Sequence, residues 1–529
     1  PPTKFLREIE NSCAENHACD KNYKSAQKNA PPAIHQTQNS VTFAAKITQI
    51  MKCLKAIGIA TILCAATACS NQDLSATIPD NATGVVAINL PNIIETNAWL
   101  DNDTVALPSE LTIAIENSGE SITKDFLRAL TSAGCDLQET AFIYFPHDGF
   151  KTVCLAKTDN PAKTREFIRQ TCGTELEKDN TCEFALHHEQ ILALKGSTLM
   201  IASFPPEANA TQISTLAQAA LSPKNDNIQN VEAAQDFLDN SENAIAAYFN
   251  MRHITNLITS FQSVKDAVKT YIPLQFLIDN DLSAIKIALR FNNDKALIKT
   301  SIEAPENSSF LQFLTNATTE PSSDFLNVVP ASMSHVASFS VKGEMIAELE
   351  PIQQFEKTIQ KMPFLSNFSV TKMVEAINGP LSIACVPDQT FPDEYNYIIT
   401  AKSLNPKTIT NNIKAFYASY GQAPDTYRGI ETYAYGNKMI AVGTTKRNLA
   451  YVKILSYDSA ESPMSEDKDI CALFDSAPIA ILQQGHDYTF TFTMQPNAQG
   501  EATYSTTNAA PAAISLAANI LAATESPLP

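Results

Sequence analysis

Apolar and polar positions along the chain fall into short strand periods, tight turns and a few helical periods. Val85 to Leu90 and Val336 to Ser340 are apolar runs rich in branched residues, the composition of buried strands. Tyr488, Phe490, Phe492 and Met494 alternate with threonines, which predicts a strand with one apolar and one polar face. That strand turns near Asn497 to Gly500 and returns as Glu501 to Thr507. A second hairpin is predicted from Ser283 to Phe291, a turn at Asn292-Asn293-Asp294, and Lys295 to Glu303. Lys195-Gly196-Ser197 and Tyr435-Gly436-Asn437 read as further hairpin turns, because glycine tolerates the positive φ a tight turn needs. Helices are expected where Asn160-Pro161 and Asn405-Pro406 supply a capping side chain and a proline whose missing N–H costs nothing. They run from Pro161 to about Gln170 and from Pro406 to about Tyr420, with further helical stretches at Thr211 to Leu221 and His253 to Thr270.

The same elements return in order. Ile78-Pro79, followed by Val85 to Asn89, comes back as Val329-Pro330, followed by Val336 to Ser340, at an offset of 251. Ser121-Ile122-Thr123-Lys124 comes back as Ser369-Val370-Thr371-Lys372 at 248, and Ala156 to Pro161 as Ala401 to Pro406 at 245. Met200-Ile201-Ala202 is matched with Met439-Ile440-Ala441 at 239. This order predicts an α+β fold made by tandem duplication of one mixed strand and helix domain with antiparallel hairpins, residues 78–316 and 317–529. No Gly-rich strand-to-helix turn of a doubly wound sheet is present.

Residues 51–68 carry a different pattern. Lys52 and Lys55 follow Met51, then Ala56 to Ala68 is uncharged and apolar, and the run ends Ala66-Thr67-Ala68-Cys69. A basic start, a short apolar stretch and small residues at the cut describe a secretory signal peptide, and thirteen apolar residues fall short of the roughly 20 that span a bilayer. Ala66-Thr67-Ala68-Cys69 resembles the lipobox of bacterial lipoproteins, although Ala66 stands where that pattern usually has leucine. The resemblance implies lipidation of Cys69, leaving 69–77 as anchor and short linker. An ordinary signal peptide with Cys69 as a plain thiol is the alternative. Residues 1–50 read as upstream sequence, or as an amino-terminal extension; on the first reading Cys13, Cys19, His17 and His35 have no role.

With the lipobox, the layout resembles an uncharacterised family of Bacteroidetes lipoproteins that open with an Ile-Pro segment and a Val-rich strand, as Ile78 to Asn89 does. The resemblance implies an outer-membrane lipoprotein and no particular activity. A single acid in Ser70-Asn71-Gln72-Asp73, rather than an acidic cluster, favours the periplasmic face.

Composition narrows the partners. Hydrophobic residues are 44% and charged residues 18%, a balance that supports packed domains rather than disorder. From Cys69 onward 30 Lys and Arg face 52 Asp and Glu. Such an acidic surface repels phosphate backbones, which argues against nucleic acid and leaves the anchor as the route to the membrane.

Candidate chemistry is sparse. Ser121 to Lys124 and Ser369 to Lys372 have the Ser-x-x-Lys spacing of penicillin-binding enzymes, but the partner motifs Ser-Asp-Asn and Lys-Thr-Gly are absent and a capping serine explains the placement. His187-His188-Glu189 lacks the second histidine of a His-Glu-x-x-His site, and adjacent residues on a strand point to opposite faces. His147, His253, His335 and His486 stand alone, and Asp393-Glu394 reads as ordinary solvated surface. No phosphate loop, dinucleotide fingerprint or nucleophile elbow occurs. No Cys-x-x-Cys occurs, and Cys172 and Cys182, ten apart, are the candidate disulfide of an exported chain. Asp103-Thr104-Val105, Asp458-Ser459-Ala460 and Asp475-Ser476-Ala477 resemble the short O-glycosylation motif of Bacteroidetes.

No catalytic, cofactor or metal residue is therefore assigned. The sequence favours a lipid-anchored envelope protein that binds or scaffolds an envelope protein or polymer without catalysis. An envelope-polymer hydrolase with a site assembled from distant residues and a rigid structural spacer are the alternatives.

Overall fold

The structure, a computed structural model, describes residues 74–506 except 98–99, 102–103, 106–132, 148, 179–180, 205–207, 254–281, 293–294, 306, 366, 389–394, 428, 436–437 and 457–461. The signal peptide, Cys69 and the Ser121 to Lys124 motif lie outside the described residues, as do Asp103, Asp393-Glu394 and Asp458 to Ala460.

The fold is α+β, and its centre is one antiparallel sheet. In chain order the first half supplies β1 (Gly84–Asn89), β2 (Thr140–Phe145), β3 (Thr152–Lys157), β4 (Glu177–Lys178), β5 (Glu183–His187), β6 (Gln190–Lys195), β7 (Thr198–Ser203), β8 (Ile245–Asn250), β9 (Ala284–Asn292) and β10 (Lys295–Glu303). The second half supplies β11 (His335–Lys342), β12 (Asn378–Pro387), β13 (Tyr395–Lys402), β14 (Asp425–Tyr427), β15 (Ile430–Tyr435), β16 (Lys438–Thr444), β17 (Leu449–Leu455), β18 (Ile479–Gln484), β19 (Tyr488–Met494) and β20 (Gln499–Thr506).

Pairing in the first half runs β4-β5-β6-β7-β3-β2-β1-β8-β9-β10. In the second half it runs β14-β15-β16-β17-β13-β12-β11-β18-β19-β20, the same order strand for strand. Smaller features coincide too. Ile228 N–H donates to Ile78 O at 2.9 Å and Met464 N–H to Val329 O at 2.8 Å, so each Ile/Val-Pro segment is tied down by the same kind of bond. β10 pairs antiparallel with β20, and this ladder makes the two halves one continuous sheet.

The strand order corrects one sequence match. Met439 to Ala441 lie on β16, whose counterpart by position is β6, whereas Met200 to Ala202 lie on β7. A Met-Ile-Ala triplet suits any buried strand, so local similarity slid the match by one strand. The equivalent positions follow from pairing: Thr198 opposes Lys157 and Leu449 opposes Lys402.

Helices pack on both faces. The expected pair forms as α2 (Pro161–Cys172) and α9 (Pro406–Ser419), after α1 (Leu90–Asn97) and, between them, α3 (Ala210–Ala220), α4 (Glu232–Leu238), α5 (Ser309–Ala317), α6 (Gly343–Ala347), α7 (Glu350–Gln360) and α8 (Val370–Glu375). α10 (Lys468–Ser476) is the last described helix. Asn160 Oδ1 accepts from Lys163 N–H at 3.1 Å, as its position predicted, but Asn405 makes no such side-chain cap. The boundary expected at 316/317 falls at the end of α5, and Thr318 already bridges Val341 of β11. α5 thus leads into the second half.

In the first half described helices pack on both faces. Phe167 and Ile168 of α2 pack with Ile143, Leu192, Leu194 and Ile201 on one side. On the other, Ile213 and Ala217 of α3 and Leu238 of α4 pack with Val153, Leu155, Ile191 and Met200. The second half has an equivalent of the latter core, built on Phe325, Val336, Ile398, Phe474 and Leu482. Its α9 side is divided among smaller clusters, and the departure from a filled core begins there.

Candidate functional site: an apolar cleft beneath α9

α8 forms one wall of the cleft, and it is pinned at both ends. Ser369 Oγ caps it by accepting from Lys372 N–H at 3.2 Å, so the Ser-x-x-Lys spacing at Ser369 is a helix cap. Glu356 of α7, buried, accepts the next two amides through Oε2, Val370 N–H at 2.7 Å and Thr371 N–H at 3.1 Å. Burial alone would push the Glu356 carboxyl up, but these bonds, with those from Ser369 and Gln360, hold it below the usual glutamate range. Asn412 Oδ1 of α9 accepts from Ser369 N–H at 3.1 Å, which fixes α8 against α9. At the other end Gly343 N–H donates to Ile377 O at 2.8 Å. A Cβ on Gly343 would sit 1.8 Å from Val374 O, so α6 and α8 meet this closely only because the residue is glycine.

Beneath these helices lies a cleft of about 320 Å³, within the range of small-molecule sites. Its floor is Leu381, Ile399, Ala401, Ala450 and Val452 of the sheet; its roof is Ile409, Ile413, Phe416 and Tyr417 of α9. Tyr417 is held by a stacked contact with Tyr433, ring centroids 4.7 Å apart. Among the described residues its lining holds no carboxylate, lysine, arginine or histidine; its polar groups are Thr400 and the phenols of Tyr417 and Tyr451. Seven residues into α2 stands Phe167, buried in the core, whereas the seventh residue of α9 is Asn412, spent on the bond to Ser369.

The cleft opens onto an apolar row that crosses the sheet. Ile245, Leu289, Ile298, Ala502, Phe492, Ile481, Ala337, Ile383, Ile399 and Val452 oppose one another strand by strand. Ile399 belongs to both row and cleft and is 36% exposed; Ile383 and Phe339 beside it are 42% and 40% exposed. Exposed apolar residues in contiguous patches are uncommon on soluble surfaces and mark binding sites.

A second, polar cavity of about 660 Å³ adjoins the first, and Ile377 lines both. Lys342, Glu344, Lys372 and Glu375 surround it with Asn378, Asn405 and Thr408. None of the four charged groups makes an ion pair within 4.0 Å among the described residues.

The structure places the other sequence candidates away from this site. Cys172 packs against the core on the α2 side, Cys182 belongs to the core on the opposite face, and both are thiols, so the candidate disulfide pair is not brought together. Burial pushes the Cys154 thiol up to about 12 and raises Cys135 further, which makes both poor nucleophiles. His187 ends β5, and His188 sits at the following turn with φ of 53°, so His187-His188-Glu189 is a hairpin corner rather than a continuous strand. His147 and His253, read as isolated, are neighbours with ring centroids 5.3 Å apart. Burial, then the charge of His147, lowers the His253 pKa. No group of three metal-ligating side chains occurs among the described residues. His335 shares a hydrogen bond of 2.8 Å with Ser334 Oγ, and His486 pairs with Asp487 at an exposed corner. Asp475, in one O-glycosylation motif, accepts from Ser323 N–H and Oγ, and Ser476 is exposed beside it.

Sequence reasoning missed the cleft. Ile409, Ile413, Phe416 and Tyr417 carry a plain helical stripe, and such a stripe reads the same whether the space it faces is full or open.

No family model matches the chain, and no curated protein matches it. Among solved structures, crystal forms I and III of TP0453 are similar, each at 11% identity, with TM-scores of 0.28 and 0.29. Each covers 45% of this chain, and this chain covers 80% and 81% of theirs. Among the described residues no helix is long and apolar enough to cross a membrane.

Proposed function

We propose that this chain is a lipid-anchored envelope protein, tethered through Cys69, that binds an apolar ligand without catalysis in the cleft beneath α9. The observation that carries the reading is a preformed cleft of about 320 Å³ with an apolar lining, opening beside exposed Ile399, Ile383 and Phe339. An apolar space of this size gains from excluding water, at roughly 25 cal/mol per Å² of ligand and protein surface buried. With no carboxylate, histidine or lysine among its described lining residues, and Tyr417 and Tyr451 as its only phenols, the cleft lacks the paired carboxylates a polymer hydrolase uses, which favours binding. The basic start, apolar run and Cys69 of the sequence support export and a lipid anchor, and the single acid in Ser70 to Asp73 favours the periplasmic face.

The shared strand order of the two halves supports descent by tandem duplication, followed by divergence in which the second copy opened a binding space. Titration of the full chain with a neutral apolar fluorophore tests the reading. Saturable binding to one site is expected, lost at least tenfold in Ile399→Asp with folding retained. Unsaturable binding, or equal binding in the variant, contradicts it.

A further inference from the structure

We infer that the ligand is an amphiphile of the zwitterionic phospholipid type, its acyl chain in the cleft beneath α9 and its head in the adjoining polar cavity; this rests on the reading of the cleft as a binding site. The two cavities share Ile377 as a lining residue and differ in chemistry, since charged groups edge the second and none of the described residues of the first is charged. Adjacent residues divide between them: Met373 and Ile409 line the apolar space, while Lys372 and Thr408 line the polar one. A wholly apolar ligand would leave the polar cavity unused, and a wholly polar one would leave the cleft wet. An amphiphile matches both.

Charge selects the kind of head. Lys342 and Lys372 stand with Glu344 and Glu375 around the cavity, two of each sign, and no ion pair among the described residues neutralises them internally. A singly anionic head would gain from the lysines and be repelled by the glutamates. A neutral head would engage none of them fully. A head carrying one phosphate and one ammonium group, quaternary or not, can present each charge to its opposite.

The test displaces the apolar fluorophore from the full chain with three single-chain probes of equal length, all below their aggregation concentrations: a lysophosphatidylcholine, a fatty acid and a fatty alcohol. The zwitterion should bind at least tenfold more tightly than the other two. In Lys342→Glu with Lys372→Glu that preference should vanish, while the alcohol binds as before and so reports an intact cleft. Equal affinity for all three heads, or a preference that survives the double substitution, overturns the inference while the cleft reading stands. Failure of even the alcohol to displace the fluorophore overturns both.

Discussion

Lys299 of β10 and Glu501 of β20 face each other in register across the only described ladder that joins the two halves, their charged ends 3.8 Å apart. Both are more than half exposed, so solvent screens the pair and it contributes roughly 1 kcal/mol or less. The next rung carries more. Gly500 opposes Thr300, and a Cβ there would lie 2.5 Å from Thr300 Oγ1 and 3.0 Å from the Phe492 ring. Gly500→Val should therefore destabilise the joint by about 1–3 kcal/mol through overpacking. Lys299→Ala should change the unfolding free energy by less than about 1 kcal/mol. Denaturant unfolding of both variants checks the contrast.

Glu356 gives the cleft wall a pH dependence of defined sign. Its carboxyl is held below its ordinary value of 4.5 in the folded protein, so its contribution is complete above that value and is lost as pH falls through the lowered folded value. Glu356→Gln should cost about 1.5–3 kcal/mol at neutral pH, the scale of a charge-assisted hydrogen bond. The gap between wild type and variant in urea unfolding should narrow below pH 4.5. A gap independent of pH would show that the carboxylate charge is not what secures α8.

At the far end of the same strands, Lys438 Nζ lies 3.8 Å from Asp388 Oδ2, and both side chains are almost wholly buried. Ser456 Oγ donates to the same carboxylate oxygen, and Lys438 Nζ also donates to Tyr395 O. Asp388→Ala removes one buried carboxylate from the ammonium and should cost about 1.5–3 kcal/mol, the scale of a hydrogen bond to a charged group. Replacing both partners, Asp388→Ala with Lys438→Met, should recover much of that loss. Thermal unfolding of the single and double variants measures the difference.

How much of this was legible depended on how local the information is. The alternation at Tyr488 to Met494 gave that strand to within its observed bounds, and Asn-Pro at 160–161 and 405–406 marked the starts of α2 and α9. Both are written within a few residues of chain. The ladder between β10 and β20 joins residues some two hundred positions apart, and no local period encodes which edge meets which. The slip at Met439 has the same origin, because only pairing distinguishes β6 from β7. The cleft was hidden for a different reason. Ile409 and Ile413 are ordinary core residues by type; only the full packing shows that nothing of the size of Phe167 fills the space beside them.

The most direct measurement is lipid analysis of the full chain purified from the membrane fraction of cells that express it, compared with Ile399→Asp prepared identically and with detergent-washed membrane as the reference. The account predicts one amphiphile enriched to near one per protein in the wild type and reduced to the reference level in the variant. Equal lipid content in the two proteins, or none above the reference in either, would contradict it.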